Sequence, residues 1–274
     1  MAISTSSIFH FTNTFETMLS ILEEGFKVTY CLEEYELGDG TVELGISMIS
    51  FADIPLGQLN QSVSNYGSYC IGLSKEWAAK KHINPVLYMD QNSYLSQVFC
   101  DYLDLIQSKT NIHVKYEYNE VEEGKVEVKY IGNDENEIAL NMMNGLLTFI
   151  KNSNGTLRRR NQPEVPNFNF YAEREWRYVP SEQDFIDARF TYTPILQKKS
   201  IDAWRDKDGT KQFIPRLTLN FIAQDLTHII VSTEDEIVDL ISKLKSQAHL
   251  FQNKGELELL FTKITTFEKV KNDY

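Results

Sequence analysis

The run Tyr-Ala-Glu-Arg-Glu-Trp-Arg-Tyr at residues 171–178 sets charge into an aromatic background. Read as a strand, it places Glu173, Glu175 and Arg177 on one face and Trp176 and Tyr178 on the other, because alternate strand residues share a face. Carboxylates held side by side in a cleft can stabilise a developing cation. A glycosidic bond such as the one to nicotinamide breaks through an oxocarbenium-like state, which a fixed negative group beside the ribose favours. Arg177 would keep Glu175 ionised and oriented, and Glu173 would position an incoming nucleophile. The plain alternative is a solvent face with weak ion pairing, a common pattern on half-exposed strands.

Other chemistry is less well supported. Glu127-Val128-Lys129 has the Glu-x-Lys spacing of metal nucleases, but so short a match arises easily in a charge-rich segment. There is no GxGxxG after a strand, no GxxxxGK[ST] and no HExxH. Gly72-Leu73-Ser74 begins like a nucleophile elbow but continues with Lys75-Glu76 where a glycine is needed. The five histidines (10, 82, 113, 228 and 249) form no local metal motif, so no metal is expected. Arg158-Arg159-Arg160 could guide a nucleic-acid target, or be a solvated loop.

These groups must be positioned by surrounding elements. Residues 8–12 (IFHFT) have strand composition, with His10 on the face of Ile8 and Thr12. Asn13 and Glu16 predict a capped helix with an apolar stripe of Phe15, Met18, Leu19 and Leu22, ended by Gly25. Residues 33–45 read as an acidic loop. Strands are expected at 45–51, 69–73, 86–89, 168–179, 227–231 and 257–267, and helices at 56–65, 75–81, 94–106, 138–150 and 234–245. The alternation at 114–130 around Glu123-Gly124 predicts a two-stranded ribbon. This irregular mixture of short strands and helices points to an α+β fold in one domain over 1–274, with 92–162 as a mostly helical insertion or lid.

Composition narrows the function classes. With 39 acidic and 27 basic residues the formal charge is −12, which disfavours a broad nucleic-acid-coating surface but not a local basic site. Three cysteines (31, 70 and 100) without CxxC spacing suggest buried thiols in a reducing compartment. No export signal or apolar membrane span is visible, so a cytoplasmic protein without a membrane partner is expected.

Several segments together resemble known families. IFHFT at 8–12, ISFAD at 49–53 followed by Tyr66, and Glu173-Arg-Glu175 occur in the order of the three motifs of the ADP-ribosyltransferase fold, in its His-Tyr-Glu branch. HFT at 10–12, SFADIPL at 50–56, YGSYCIGLSKEW at 66–77, NPVLY at 84–88 and EREWRYVP at 173–180 resemble the AbiGi family of bacterial abortive-infection proteins. The first resemblance implies split antiparallel sheets with flanking helices, and NAD as candidate substrate. It makes Glu175 the catalytic carboxylate and Glu173 the first acid of a Glu-x-Glu pair. His10 would bond the adenosine ribose, Tyr66 would stack on nicotinamide, and Thr12, Ser50, Phe51 and Arg177 would complete the cofactor site. His10 also reads as an ordinary core histidine between phenylalanines, and Tyr66 as an ordinary helix-end aromatic. Two departures bear on turnover: Ser50 stands where that branch has tyrosine, and Phe11 where many active members have glycine.

Two functions follow from the resemblance. One is transfer of ADP-ribose to a protein or nucleic-acid acceptor. The other is a non-catalytic antitoxin or regulatory protein that binds a cognate, nucleotidyltransferase-like toxin in phage defence. A structural protein with an acidic surface is a third reading.

Overall fold

Strand β1 (Ser7–Thr12) buries Ile8 on one face and Phe9 on the other, as a strand inside a sheet covered on both sides does. This computed structural model describes residues 5–37, 40–59, 66–108, 115–122, 125–131, 144–158, 163–191, 193–198, 200–201, 212–247 and 254–273, with the backbone alone over 103–131. Helix α1 (Phe15–Glu24) is capped by Thr14, whose hydroxyl accepts from the Thr17 amide, rather than by Asn13. Starting there puts Phe15, Met18, Ile21 and Leu22 on one buried stripe, and Gly25 at φ 79° ends the helix.

β2 (Phe26–Leu37) and β3 (Gly40–Ala52) then form a long antiparallel hairpin. The acidic stretch expected as a loop is therefore strand. Its glutamates alternate with Tyr35 and Leu37, which are buried, so pairing with Gly40–Leu44 gains apolar burial that outweighs the local preference for a loop. A 3-10 turn, Leu56–Gln58, covers the start of the expected 56–65 helix; residues 60–65 lie outside the described residues.

β4 (Tyr69–Ser74) lies antiparallel to β1, and Ser74 caps α2 (Lys75–Lys80). β5 (Asn84–Pro85), β6 (Leu87–Met89) and α3 (Tyr94–Ser108) follow, then the expected ribbon of β7 (Lys115–Glu122) and β8 (Lys125–Ile131). Glu127 and Lys129 lie on β8. The helix expected at 138–150 stops short: Ile150 begins β9 (Ile150–Asn152), pairing in parallel with β6, and residues 138–143 lie outside the described ones. β10 (Asn154–Leu157) pairs β11 (Val165–Asn169); Arg159 and Arg160 also lie outside the described residues.

The single strand expected over 168–179 is broken. A 3-10 turn at Phe170–Glu173 and a left-handed Arg174 (φ 48°) separate β11 from β12 (Glu175–Tyr178). The chain continues through α4 (Glu182–Asp187), β13 (Ile195–Gln197), β14 (Phe213–Leu219), β15 (Leu226–Val231) and α5 (Glu234–Ser246). The expected strand at 257–267 is instead α6 (Lys254–Phe261), β16 (Ile264–Thr266) and α7 (Phe267–Asp273). Leu257 and Leu260, one helical turn apart, are both buried, so helical rather than alternating spacing places them inward.

The main sheet has ten strands in the order β14-β2-β3-β1-β4-β15-β16, with β12, β13 and β5 joined at β3 and β12. All its pairs are antiparallel except β15–β16. β3 changes partners along its length: its first part pairs β2 and β13, and Ile49–Ala52 pairs β12, with β1 meeting it at Ala52.

Helices α1, α5 and α6 cover one face through Met18, Leu22, Leu240, Leu244, Leu257 and Leu260, packed with Phe26, Phe51 and Ile71. On the other face Phe9, Ile54, Cys70, Ile230 and Phe267 form a second cluster. A third joins Tyr35 and Leu37 to Met89, Phe99, Tyr102, Leu147 and Ile150, docking α3 and β9 on the hairpin. Cys70 is buried, Cys31 and Cys100 half-buried, and all three are free thiols. Among the described residues no helix is long and apolar enough to cross a membrane.

Candidate functional site

Strand register sorts the expected site residues by face. β12 meets β3 with Glu175 opposite Ala52, Trp176 opposite Phe51, Arg177 opposite Ser50 and Tyr178 opposite Ile49. Directly opposed residues share a face, so Ser50, Glu175 and Arg177 lie together and Phe51 and Trp176 lie behind them. Tyr178 is buried in the main core and Trp176 packs against it, anchoring the strand.

Glu175 is 5% exposed and Arg177 is wholly buried. The Glu175 Oε1 accepts from Ser50 Oγ at 2.9 Å and Arg177 Nε at 2.7 Å. Its Oε2 accepts from Lys151 Nζ at 2.6 Å, and its own amide donates to the Tyr88 hydroxyl at 2.7 Å. Arg177 Nη2 reaches Glu33 Oε2 at 2.6 Å, while Nη1 donates to the Thr148 carbonyl at 2.8 Å.

Glu173 leaves the strand face because of the turn that precedes β12. Even so, it lies 3.7 Å from Lys151 and accepts a hydrogen bond from the Tyr66 phenol. Three carboxylates, two cations and a phenol thus form one connected cluster. Ion pairs this buried hold only when their hydrogen-bonding capacity is met, and here Glu175 has donors on both oxygens.

The cluster perturbs its members in different directions. Burial alone would raise the Glu175 pKa, but Arg177 and Lys151 outweigh it and hold the carboxyl well below its usual range. Burial raises the Glu173 pKa despite Lys151. Burial and the Glu173 charge push the Tyr66 phenol up, and burial pushes Tyr88 up to about 12. Lys151 is held charged: burial opposes this, but Glu175, Glu33 and Glu173 prevail.

His10 lies elsewhere. Its ring sits edge-on to Phe26 and Phe51, with centroids at 5.0 and 5.7 Å, on the face of the sheet opposite Glu175. Its Nδ1 is 2.8 Å from the Ser50 carbonyl, which can only accept, so Nδ1 carries the proton. β1 and β3 share a single registered pair, Phe9 with Ala52, and the imidazole supplies a donor to β3 beside it. Thr12 donates to the Thr14 carbonyl at 3.0 Å and Phe51 is a core residue.

Of the expected residues, Ser50, Tyr66, Glu173, Glu175 and Arg177 are thus brought together, and His10, Thr12 and Phe51 are not. The carboxylate that would face the ribose is already paired, and the imidazole that would hold the adenosine lies behind β3. The concavities beside the end of α1 and at the start of α3 are lined by other residues than this cluster. Among the described residues no group of three or more His, Cys, Asp or Glu side chains is placed to hold a metal.

Three members of the cluster escaped the sequence reading. Lys151 lies just past the helix expected over 138–150, Glu33 in the expected loop, and Tyr88 on a short strand; nothing local marks them as partners of 173–177. Asp53, within SFADIPL, is 2% exposed and pairs with Lys75 Nζ at 2.7 Å and Arg174 at 3.6 Å. It thereby ties β3 to α2 and to the turn before β12.

Fold and cluster together define a mixed α/β protein whose sheet is joined to β9 by buried charges. The chain belongs to the AbiGi family: the family model described as putative abortive phage resistance protein AbiGi, antitoxin, matches residues 24–232. It is 23% identical over 245 residues to an abortive phage resistance protein AbiGi of Lactococcus lactis subsp. cremoris, covering 84% of this chain and 89% of that one. No solved structure gives a significant match to the chain.

Proposed function

We propose that this protein serves abortive phage defence as an antitoxin, by binding a cognate toxin rather than by turning over NAD. The observation that carries this reading is the state of Glu175: buried, with Ser50, Lys151 and Arg177 occupying both of its oxygens. A carboxylate so neutralised joins parts of the chain and has little left to offer a developing cation. The family description supports the same role, and the acidic balance of the chain suits a basic partner surface.

ADP-ribose transfer from NAD is the competing reading. In its favour, Tyr66, Glu173 and Glu175 belong to one cluster although distant in sequence. One pair of experiments separates the two. Millimolar NAD is expected to leave the melting temperature of the folded protein unchanged, whereas saturation at ~100 times Kd would stabilise it by ~2.7 kcal/mol. In cells, Glu175→Gln is expected to neutralise a co-expressed cognate toxin as long as the variant stays folded. A specific NAD shift together with loss of function in folded Glu175→Gln would overturn the binding role.

A further inference from the structure

We propose that the exposed apolar rim of the layer formed by α3, β6 and the 144–149 segment is the surface on which this protein receives a basic protein partner. That this partner is the toxin rests on the antitoxin reading. Among the described residues eleven large apolar side chains are exposed, and five of them, Leu87, Tyr94, Leu95, Val98 and Leu146, belong to this layer. Apolar side chains exposed singly need no explanation, but a concentration of them marks an interaction site.

Local geometry sets the five beside one buried cluster. Leu87 pairs with Ile150 across β6 and β9 and so shares a face with Ile150 and Met89, both buried there. Its amide donates to the Phe149 carbonyl at 2.7 Å, and the Phe149 amide donates to the Leu146 carbonyl at 3.0 Å, which brings Leu146, the neighbour of buried Leu147, beside it. On α3, Leu95 and Val98 stand one helical turn before Phe99 and Tyr102, both buried in the same cluster, and Tyr94 stands one turn before Val98. The Tyr102 hydroxyl donates to Asn144 Oδ1 at 3.2 Å, fastening the helix to the segment that carries Leu146.

Charge decides what covers this rim. Residues 84–102 and 144–150, which carry it, include Asp90 and Asp101 and no Lys or Arg. Both carboxylates are exposed. Asp90 Oδ1 accepts from the Asn92 amide at 2.9 Å and Asp101 Oδ1 from Gln97 Nε2 at 3.0 Å, partners that carry no charge. A second copy of the chain, with its net charge of −12, would set these carboxylates against their own kind. An anionic lipid surface would be repelled as well, and segments that lie in such a surface carry the Lys and Arg that these lack. The matching surface is a protein with apolar anchors inside a ring of Lys or Arg. Its anchors gain by burial and its cations by facing Asp90 and Asp101.

The full chain is titrated calorimetrically with two synthetic helical peptides that share a leucine stripe, one bearing lysine and the other glutamate on its remaining face. Saturable binding of the lysine peptide alone is expected, weakening as salt rises. Leu146→Ser and Tyr94→Ser alter exposed side chains without changing the charge, so both should keep the wild-type circular dichroism, and each should raise Kd about tenfold. Val238→Ser, on an exposed residue of α5 outside the rim, should bind as wild type does. The same variants are then tested for a complex with purified cognate toxin, which Leu146→Ser and Tyr94→Ser are expected to lose. A toxin complex that survives both changes overturns the surface and leaves the antitoxin reading standing. A toxin that binds no form, while the lysine peptide still tells the variants apart, upholds the surface and overturns the antitoxin reading. The basic-partner assignment is overturned if the lysine peptide fails to bind at millimolar concentration. It is equally overturned if Leu146→Ser abolishes a dimer of the chain or its retention on phosphatidylserine vesicles.

Discussion

Removing the Arg177 guanidinium is the most direct test of the buried cluster. Arg177→Met keeps an unbranched stem of similar reach but deletes donors to Glu175, Glu33, and the Thr148 and Ile150 carbonyls. Glu175 would retain Lys151 and Ser50, whereas Glu33, 14% exposed at its side chain, would lose its arginine. Breaking a buried pair by removing one partner costs roughly 3–5 kcal/mol, a large share of the ~5–15 kcal/mol that holds a typical domain. Urea denaturation followed by tryptophan fluorescence and by circular dichroism reads the change in midpoint, with the slope unchanged if the unfolded state is unaffected. Glu175→Leu combined with Arg177→Met should destabilise by less than the sum of the two single changes, because the pair is removed together. A loss below about 1 kcal/mol for Arg177→Met, the range of exposed pairs, would refute the view that this cluster is desolvated and joins the sheet to β9.

The pH dependence follows from opposite shifts in the two glutamates. The folded Glu175 pKa is lowered, so its stabilisation is present above the unfolded value of about 4.3 and lost as pH falls through the folded value; Glu175→Gln should flatten the acid limb of a melting-temperature profile. Glu173 is raised, so its contribution is favourable below about 4.3 and lost as pH rises through its folded value. Glu173→Gln should therefore raise the melting temperature at neutral pH, with the gain shrinking toward acid. Gly67 sits at φ 112° and a Cβ there would collide with the Thr12 carbonyl oxygen; Gly67→Ala should cost at least the ~1–3 kcal/mol of backbone strain, read by chemical denaturation. Tyr66→Phe should cost ~1–3 kcal/mol by leaving a Glu173 oxygen without its donor, and a neutral result would place that bond outside the folded ensemble.

Much of the scaffold was readable because its signals are local. β1, α1, β4, α2 and α5 carry strong periodicity or explicit caps, and they lie close to the expected positions. Errors arose where a distant partner decides. Residues 33–37 become strand because β3 and the cluster around Tyr35 stand beside them. Residues 257–261 become helix because a covering layer on the main core needs Leu257 and Leu260 on one stripe.

The site divides in the same way. Glu173, Glu175 and Arg177 announce themselves by spacing, although the turn at Arg174 puts Glu173 off the shared face. Lys151 is recruited from 24 positions before Glu175 and Glu33 from 144 before Arg177, and no local pattern encodes such pairings. His10 looked like a ligand-binding group and is placed among phenylalanines, where elementary burial tendencies alone would have put it.

The double partnership of β3 has a bearing on how the chain is made. Its last residues wait for β12, which leaves the ribosome more than a hundred positions later, as the 125-residue separation of Ser50 and Glu175 shows. Until then the nascent hairpin offers an open edge at Ile49–Ala52, a template for pairing with other chains. Slow synthesis through this interval, or scarcity of whatever shields that edge in the cell, should lower the yield of native protein without altering its final stability.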